Sequence, residues 1–180
     1  MSLTCVLKRK KMDITKSIYS YKFIKSIYKR HEDIHWMINK YCQYKLCIET
    51  LCLAINIYDR FNDRNLNNDI TYLAIASLFI ACKYEEVDQL LLLDLLNDKT
   101  KVKDVIEMER IILKTLEFKL SIPTVMKYLQ NYIGDDIILY NEASFMFIKY
   151  VFYNKNSLYL LEETIAKQIY DSISNKKRPI

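Results

Sequence analysis

The sharpest chemical signature in the chain is His31-Glu32-Asp33-Ile34-His35, which spells H-E-x-x-H. Two histidines four apart share one helix face and can grip a zinc ion, with the glutamate between them as general base. These are the only two histidines, so a third ligand must be a carboxylate. No strand pattern flanks the stretch to hold a peptide substrate. No metal centre is therefore expected, and no Ser-His-Asp or Cys-His arrangement is available. The paired carboxylates Asp135-Asp136 and Glu162-Glu163 read as loop and helix-start charges. The cysteines, Cys5, Cys42, Cys47, Cys52 and Cys82, contain no C-x-x-C pair, which argues against a zinc knuckle. Their odd number, with no visible secretory leader, fits a reducing compartment.

Phosphate-cradling loops need several glycines in one turn, and Gly134 is the only glycine of 180 residues. Neither Asn-Gly nor Asp-Gly occurs, which disfavours hairpins and points to an all-α protein. With 51% hydrophobic and 27% charged residues, the composition is that of a globular chain with a real core. The longest apolar run, Tyr72 to Cys82, is ended by Lys83 and is too short to span a bilayer. The net charge of +5 is uneven. Residues 1–30 hold nine Lys or Arg and one Asp, so the remainder is net acidic. The run Lys8-Arg9-Lys10-Lys11 is a solvated tail, an import signal or a phosphate-contacting arm. Lys176-Lys177-Arg178 is a second, less specific run.

Helical periodicity supplies the elements that must position these residues. Ile14, Ile18, Tyr21, Ile24 and Tyr28 mark an amphipathic leading helix over about 13–29, with Asp13 as cap. Further helices are predicted over His31–Tyr44, with Ile34, Ile38 and Tyr41 inward, and over Thr50–Phe61. Asp69–Tyr84 is the most apolar and hence central. A short helix over Asp88–Leu96 is entered by Asp88, and Lys101–Leu116 turns Val105, Met108, Ile112 and Leu116 inward. Pro123 suits the first turn of a helix over Pro123–Tyr132. Asn141–Tyr153 and Leu161–Asn175 complete the set.

The order and spacing of five separated motifs carry a family resemblance. They are Trp36 with Glu49-Thr50; Asn56-Ile57-Tyr58-Asp59-Arg60-Phe61; Ala76-Ser77-Leu78-Phe79-Ile80-Ala81-Cys82-Lys83-Tyr84-Glu85-Glu86; Met108-Glu109; and Leu116-Glu117-Phe118-Lys119-Leu120-Ser121-Ile122-Pro123-Thr124. Together they resemble a cyclin box, closest in kind to A- and B-type cyclins. The resemblance implies a five-helix cyclin box over 31–120. It is preceded by a basic arm and leading helix over 1–30 and followed by an incomplete second helical bundle over 121–180.

The resemblance also implies roles. Lys83 and Glu109 match the lysine and glutamate that reach a partner kinase beside its regulatory helix. Tyr84, Glu85, Glu86, Leu113, Phe118 and Leu120 match further contacts of that face. Arg30 and Asp59 match a structural pair locking the first two box helices. Trp36 matches the tryptophan of a substrate-docking patch, but Lys29, Glu32 and Asp33 stand where apolar neighbours are expected, so the patch is degenerate. H-E-x-x-H falls where the first box helix belongs. The implied function is a non-catalytic regulatory subunit that activates a cyclin-dependent serine/threonine kinase and meets substrates through that complex. No cofactor, membrane or nucleic-acid partner is expected, and the location is nuclear or cytoplasmic. The alternative, supported by the basic arm, is a cyclin-fold adaptor binding nucleic acid or transcription machinery without activating a kinase.

Overall fold

A computed structural model of the chain describes residues 28–64, 71–88, 90–96, 98–153 and 161–176. Among them every regular element is helical. Helix α1 runs over 28–44, followed by α2 (Ile48–Arg64), α3 (Leu73–Glu85), α4 (Leu92–Leu95), a 3-10 turn (Lys99–Lys101), α5 (Val102–Thr115), α6 (Val125–Ile133), α7 (Ile137–Tyr153) and α8 (Glu162–Lys176). The leading helix over 13–27, Cys5 and the basic run at 8–11 lie outside the described residues. So do 177–180.

Helix α1 is unbroken from 28 to 44, so the break expected near residue 30 is absent. Its inward face is Arg30, Asp33, Ile34, Met37 and Ile38, spaced at three and four residues as one helical stripe. It ends at Lys45, whose φ of 53° is left-handed. The Leu46 N–H then donates to the Tyr41 carbonyl at 3.1 Å, closing the last turn as a glycine commonly would. Glu117 and Phe118, with φ of 54° and 56°, make a similar turn after α5. A chain this poor in glycine places side-chain-bearing residues in conformations that cost about 1 kcal/mol or more.

Helices α2 and α3 form the centre. Helix α3 hides Ala74, Ala76, Ser77 and Ala81 among larger residues, and such small side chains let neighbouring helices approach closely. Helix α2 packs on α3, α5 and α6. Helix α5 offers an inward stripe of Val105, Met108 and Ile112, as the periodicity predicts. Helices α6, α7 and α8 pack on one another. Two hydrogen bonds tie α2 to that group. Tyr140 of α7 donates to Glu49, and the Asn56 amide donates to Glu162 of α8 at 2.6 Å.

Two expectations are corrected. The helix predicted over Asp88–Leu96 is reduced to Leu92–Leu95, and Asp88 lies in a bend outside it. One turn cannot sustain itself. It is held because Leu92 and Leu95 are buried, each worth about 1.5–3 kcal/mol, while Leu91 and Leu93 face out. Pro123 is not in the first turn of α6, which begins at Val125 with Thr124 as its cap. The acidic pairs behave as read: the Asp136 carboxylate accepts the Leu139 N–H at 3.0 Å to cap α7, and Glu162 and Glu163 open α8.

Burial pushes the Cys82 thiol up to about 12 and the Cys52 thiol well above its ordinary value, whereas Cys42 is exposed. A thiolate is the reactive form. Alkylation at neutral pH followed by peptide mapping is therefore expected to modify Cys42 ahead of Cys52 and Cys82. Cys52 and Cys82 should react only in denaturant. Rapid native-state modification of either would contradict this packing.

Candidate functional site

Lys83 lies in the last turn of α3 and Glu109 midway along α5. The fold brings them into direct contact, with the Lys83 ammonium donating to the Glu109 Oε1. The lysine side chain is 41% exposed and the glutamate 13%, so the pair sits at an edge of the bundle with its cation outward. Phe79, one turn before Lys83, lies under the ammonium at 4.4 Å from its ring centroid. A lysine at a helix C-terminus also meets the negative end of the helix dipole. Three features thus fix the position of one charge.

The surroundings are apolar with a charged rim. Tyr84 is 51% and Phe118 68% exposed. Leu113, one turn beyond Glu109, and Leu120 are half-buried against the core. Leu120 lines an open cleft of about 370 Å³ together with Tyr84, Glu85, Ile122 and Lys127. Burial, with Glu49 and Glu86 nearby, raises the Glu85 carboxyl above its ordinary value. Glu86 departs from its expected outward role. Its carboxylate turns inward and accepts the Cys47 N–H at 2.8 Å and the Thr50 hydroxyl at 2.6 Å.

Arg30 and Asp59 form the expected lock between α1 and α2. Arg30 Nε and Nη2 donate to the two carboxylate oxygens at 2.7 and 2.6 Å, a bidentate pair. Arg30 is 3% exposed. Burial holds the Asp59 carboxyl above its ordinary value against the opposing pull of Arg30.

The docking-patch residues Lys29, Glu32, Asp33 and Trp36 follow one stripe of α1, and charged groups occupy it. Asp33 is buried, accepting from the Tyr58 hydroxyl and from Lys29, each at 2.8 Å. Burial and the Asp33 charge push the Tyr58 phenol upward, so it stays protonated and donates. Trp36 is half-buried with Lys40 5.9 Å from its ring centroid, and Glu32 is exposed. His31 and His35 do share a face, but both pack on the Phe152 ring of α7, at centroid distances of 5.8 and 5.3 Å. Among the described residues no three His, Cys, Asp or Glu side chains converge as metal ligands.

The roles of Glu86 and Asp33 and the cross-ties from Glu49 and Asn56 were not read from the sequence. Their one visible signal is polar residues, Thr50 and Asn56, within the otherwise apolar stretch 50–58 of α2.

A central small-residue helix with a lysine in its last turn, a glutamate set beside it by a later helix and an Arg–Asp lock between α1 and α2 are the features of a cyclin box. The model of the cyclin N-terminal domain matches residues 3–121, and the chain belongs to the cyclin family, with a box of the A/B type. Among curated proteins it is 36% identical over 105 residues to Cyclin-B2-2 of Arabidopsis thaliana, covering 56% of this chain and 24% of that protein. It is 33% identical over 105 residues to Cyclin-B2-1 of Oryza sativa subsp. japonica, covering 56% and 25%. It is 30% identical over 105 residues to G2/mitotic-specific cyclin-2 of Medicago sativa, covering 56% and 32%. The match thus spans about a quarter to a third of these relatives.

Proposed function

We propose that this chain is the regulatory subunit of a cyclin-dependent serine/threonine kinase, acting in the nucleus or cytoplasm and performing no chemistry itself. The observation that carries the reading is the meeting of Lys83 and Glu109 at a bundle edge beside exposed Tyr84. Kinase catalysis requires the partner's own lysine–glutamate pair to be closed and its activation loop to be in place. A rigid face that fits only the kinase conformation with its regulatory helix pushed inward shifts the population toward activity, by as much as its affinities for the two states differ. Moving a 1:99 equilibrium to 99:1 takes about 5.5 kcal/mol of such preference. An interface of roughly 2,000 Å² or more is in the range able to supply it. Charges held on packed helices suit this task because little ordering is left for the moment of binding.

Co-purification with candidate cyclin-dependent kinases, followed by a phosphorylation assay, tests the proposal. A retained kinase whose activity rises on binding supports it. Retention of none, under conditions that retain them on another cyclin, removes it. The adaptor reading rests on the basic arm over 1–30, and generic-DNA affinity that falls steeply with salt would favour it.

Substrate docking at the Trp36 region is expected to be weak. Glu32 is exposed there and Lys40 lies over the indole, so an apolar groove for leucine-bearing motifs would be poorly formed. Titration with a basic-leucine peptide should give no binding at micromolar concentrations, and tighter binding would overturn this.

A further inference from the structure

We infer that Glu86 is a positioning residue for the Lys83–Glu109 face, pinning the end of α3 to the start of α2, and is not itself a partner contact. The inference rests on the proposed kinase-binding role of that face.

Glu86 is the residue that ends α3. Its backbone is extended, and its own N–H donates to the Cys82 carbonyl at 3.0 Å. Its Oε1 reaches across to α2, where it accepts from Cys47 N at 2.8 Å and Thr50 Oγ1 at 2.6 Å. Cys47 is the residue just before α2, and the first N–H groups of a helix have no partner within it. A carboxylate there is favoured both by those free donors and by the positive end of the helix dipole. Glu86 thus caps α2 from a different helix.

Donor counting fixes the direction of each bond in the site. Thr50 is fully buried and has one hydroxyl proton, which goes to Glu86. Its oxygen then accepts from the Cys47 thiol at 3.0 Å. Both hydrogen bonds from α2 fall on Oε1, so they fill that inward oxygen of Glu86.

Lys83 stands three residues before Glu86, in the same last turn, and is exposed while the Glu86 carboxylate is turned inward. Among the described residues no glycine or side-chain hydrogen bond closes α3, so the pin fixes where this turn lies. Freeing it lets the turn fray, and the Lys83 ammonium loses its register with Glu109. The same anchor leaves Tyr84 and Glu85 projecting between two fixed points.

Two variants separate positioning from direct contact. Glu86→Gln keeps the side-chain length and an acceptor oxygen able to take both hydrogen bonds, but loses the charge. Glu86→Asp keeps the charge but is one methylene too short to reach α2. Three readouts are taken on the full chain: affinity for the kinase retained by the wild-type protein, amide hydrogen exchange at 46–50 and 83–88, and the rate at which an amine reagent modifies Lys83. Glu86→Gln is expected to stay within about threefold of wild type in affinity, whereas Glu86→Asp loses about tenfold or more, the scale of one hydrogen-bonded charge contact. Exchange at both segments and Lys83 labelling should accelerate in Glu86→Asp and not in Glu86→Gln.

The opposite order, with Asp tolerated and Gln not, assigns the carboxylate to the partner and overturns the inference. Equal exchange in all three proteins overturns the pin itself. If wild type retains no kinase, the proposed function falls. Exchange and labelling then judge the pin alone, on the same two rankings.

Discussion

Replacing Lys83 and Glu109 together by alanine is expected to leave a folded protein that no longer activates a kinase. An exposed ion pair contributes about 0–1 kcal/mol to stability, so the melting curve should barely move. Truncating both partners also avoids stranding the Glu109 carboxylate, which is only 13% exposed, without its cation. Binding is another matter. Losing a hydrogen-bonded charge contact that becomes buried at an interface costs about 2–5 kcal/mol, or roughly 30- to 4,000-fold in affinity. Kinase affinity by titration and phosphorylation rate at a fixed cyclin concentration should fall together. Full activation by the double variant would move the contact face elsewhere.

The second large effect is on stability alone. Arg30→Ala leaves Asp59 without the guanidinium that holds both its oxygens, in a site whose burial already works against the charged carboxyl. Breaking a buried pair by removing one partner costs about 3–5 kcal/mol. That is a large fraction of the roughly 5–15 kcal/mol that holds a domain folded. At about 2–4 °C per kcal/mol for a chain of this size, the melting temperature should fall by roughly 6 to 20 °C. Arg30→Lys should recover only part of this, because a single ammonium cannot reproduce the two-pronged contact. An unchanged melting curve for Arg30→Ala would remove the pair from the account of how α1 is held.

Periodicity made most helices legible because their inward stripes are regular: Ile34 and Ile38 in α1, and Val105, Met108 and Ile112 in α5, are where spacing put them. It overran at Asp88–Leu96, where a leucine-rich stretch fits a helix in propensity but, among its described residues, only Leu92 and Leu95 are fully buried. The contact between Lys83 and Glu109 was legible only through the family resemblance, since nothing local links residues 26 apart. The inward turns of Glu86 and Asp33 were not legible for a related reason. Each looks like an ordinary surface charge in sequence, and each is turned inward by a partner on another helix, Cys47 and Thr50 in one case and Tyr58 in the other. Single-helix patterns report which face is apolar. They do not report which polar group a neighbouring helix will claim.

Helix α2 hides Ile48, every residue from Thr50 to Tyr58, and Phe61, while α5 hides only three. Random replacement should meet these two tracts differently. Along α5 permissiveness should rise and dip with each turn, so its outer flank is free to diverge and adapt to whatever it meets. Over 50–58 of α2 every site is hemmed in, and drift there should be slow and unpatterned. Innovation in this chain is thereby channelled to its perimeter, leaving a single immobile axle around which surface traits can be rewritten.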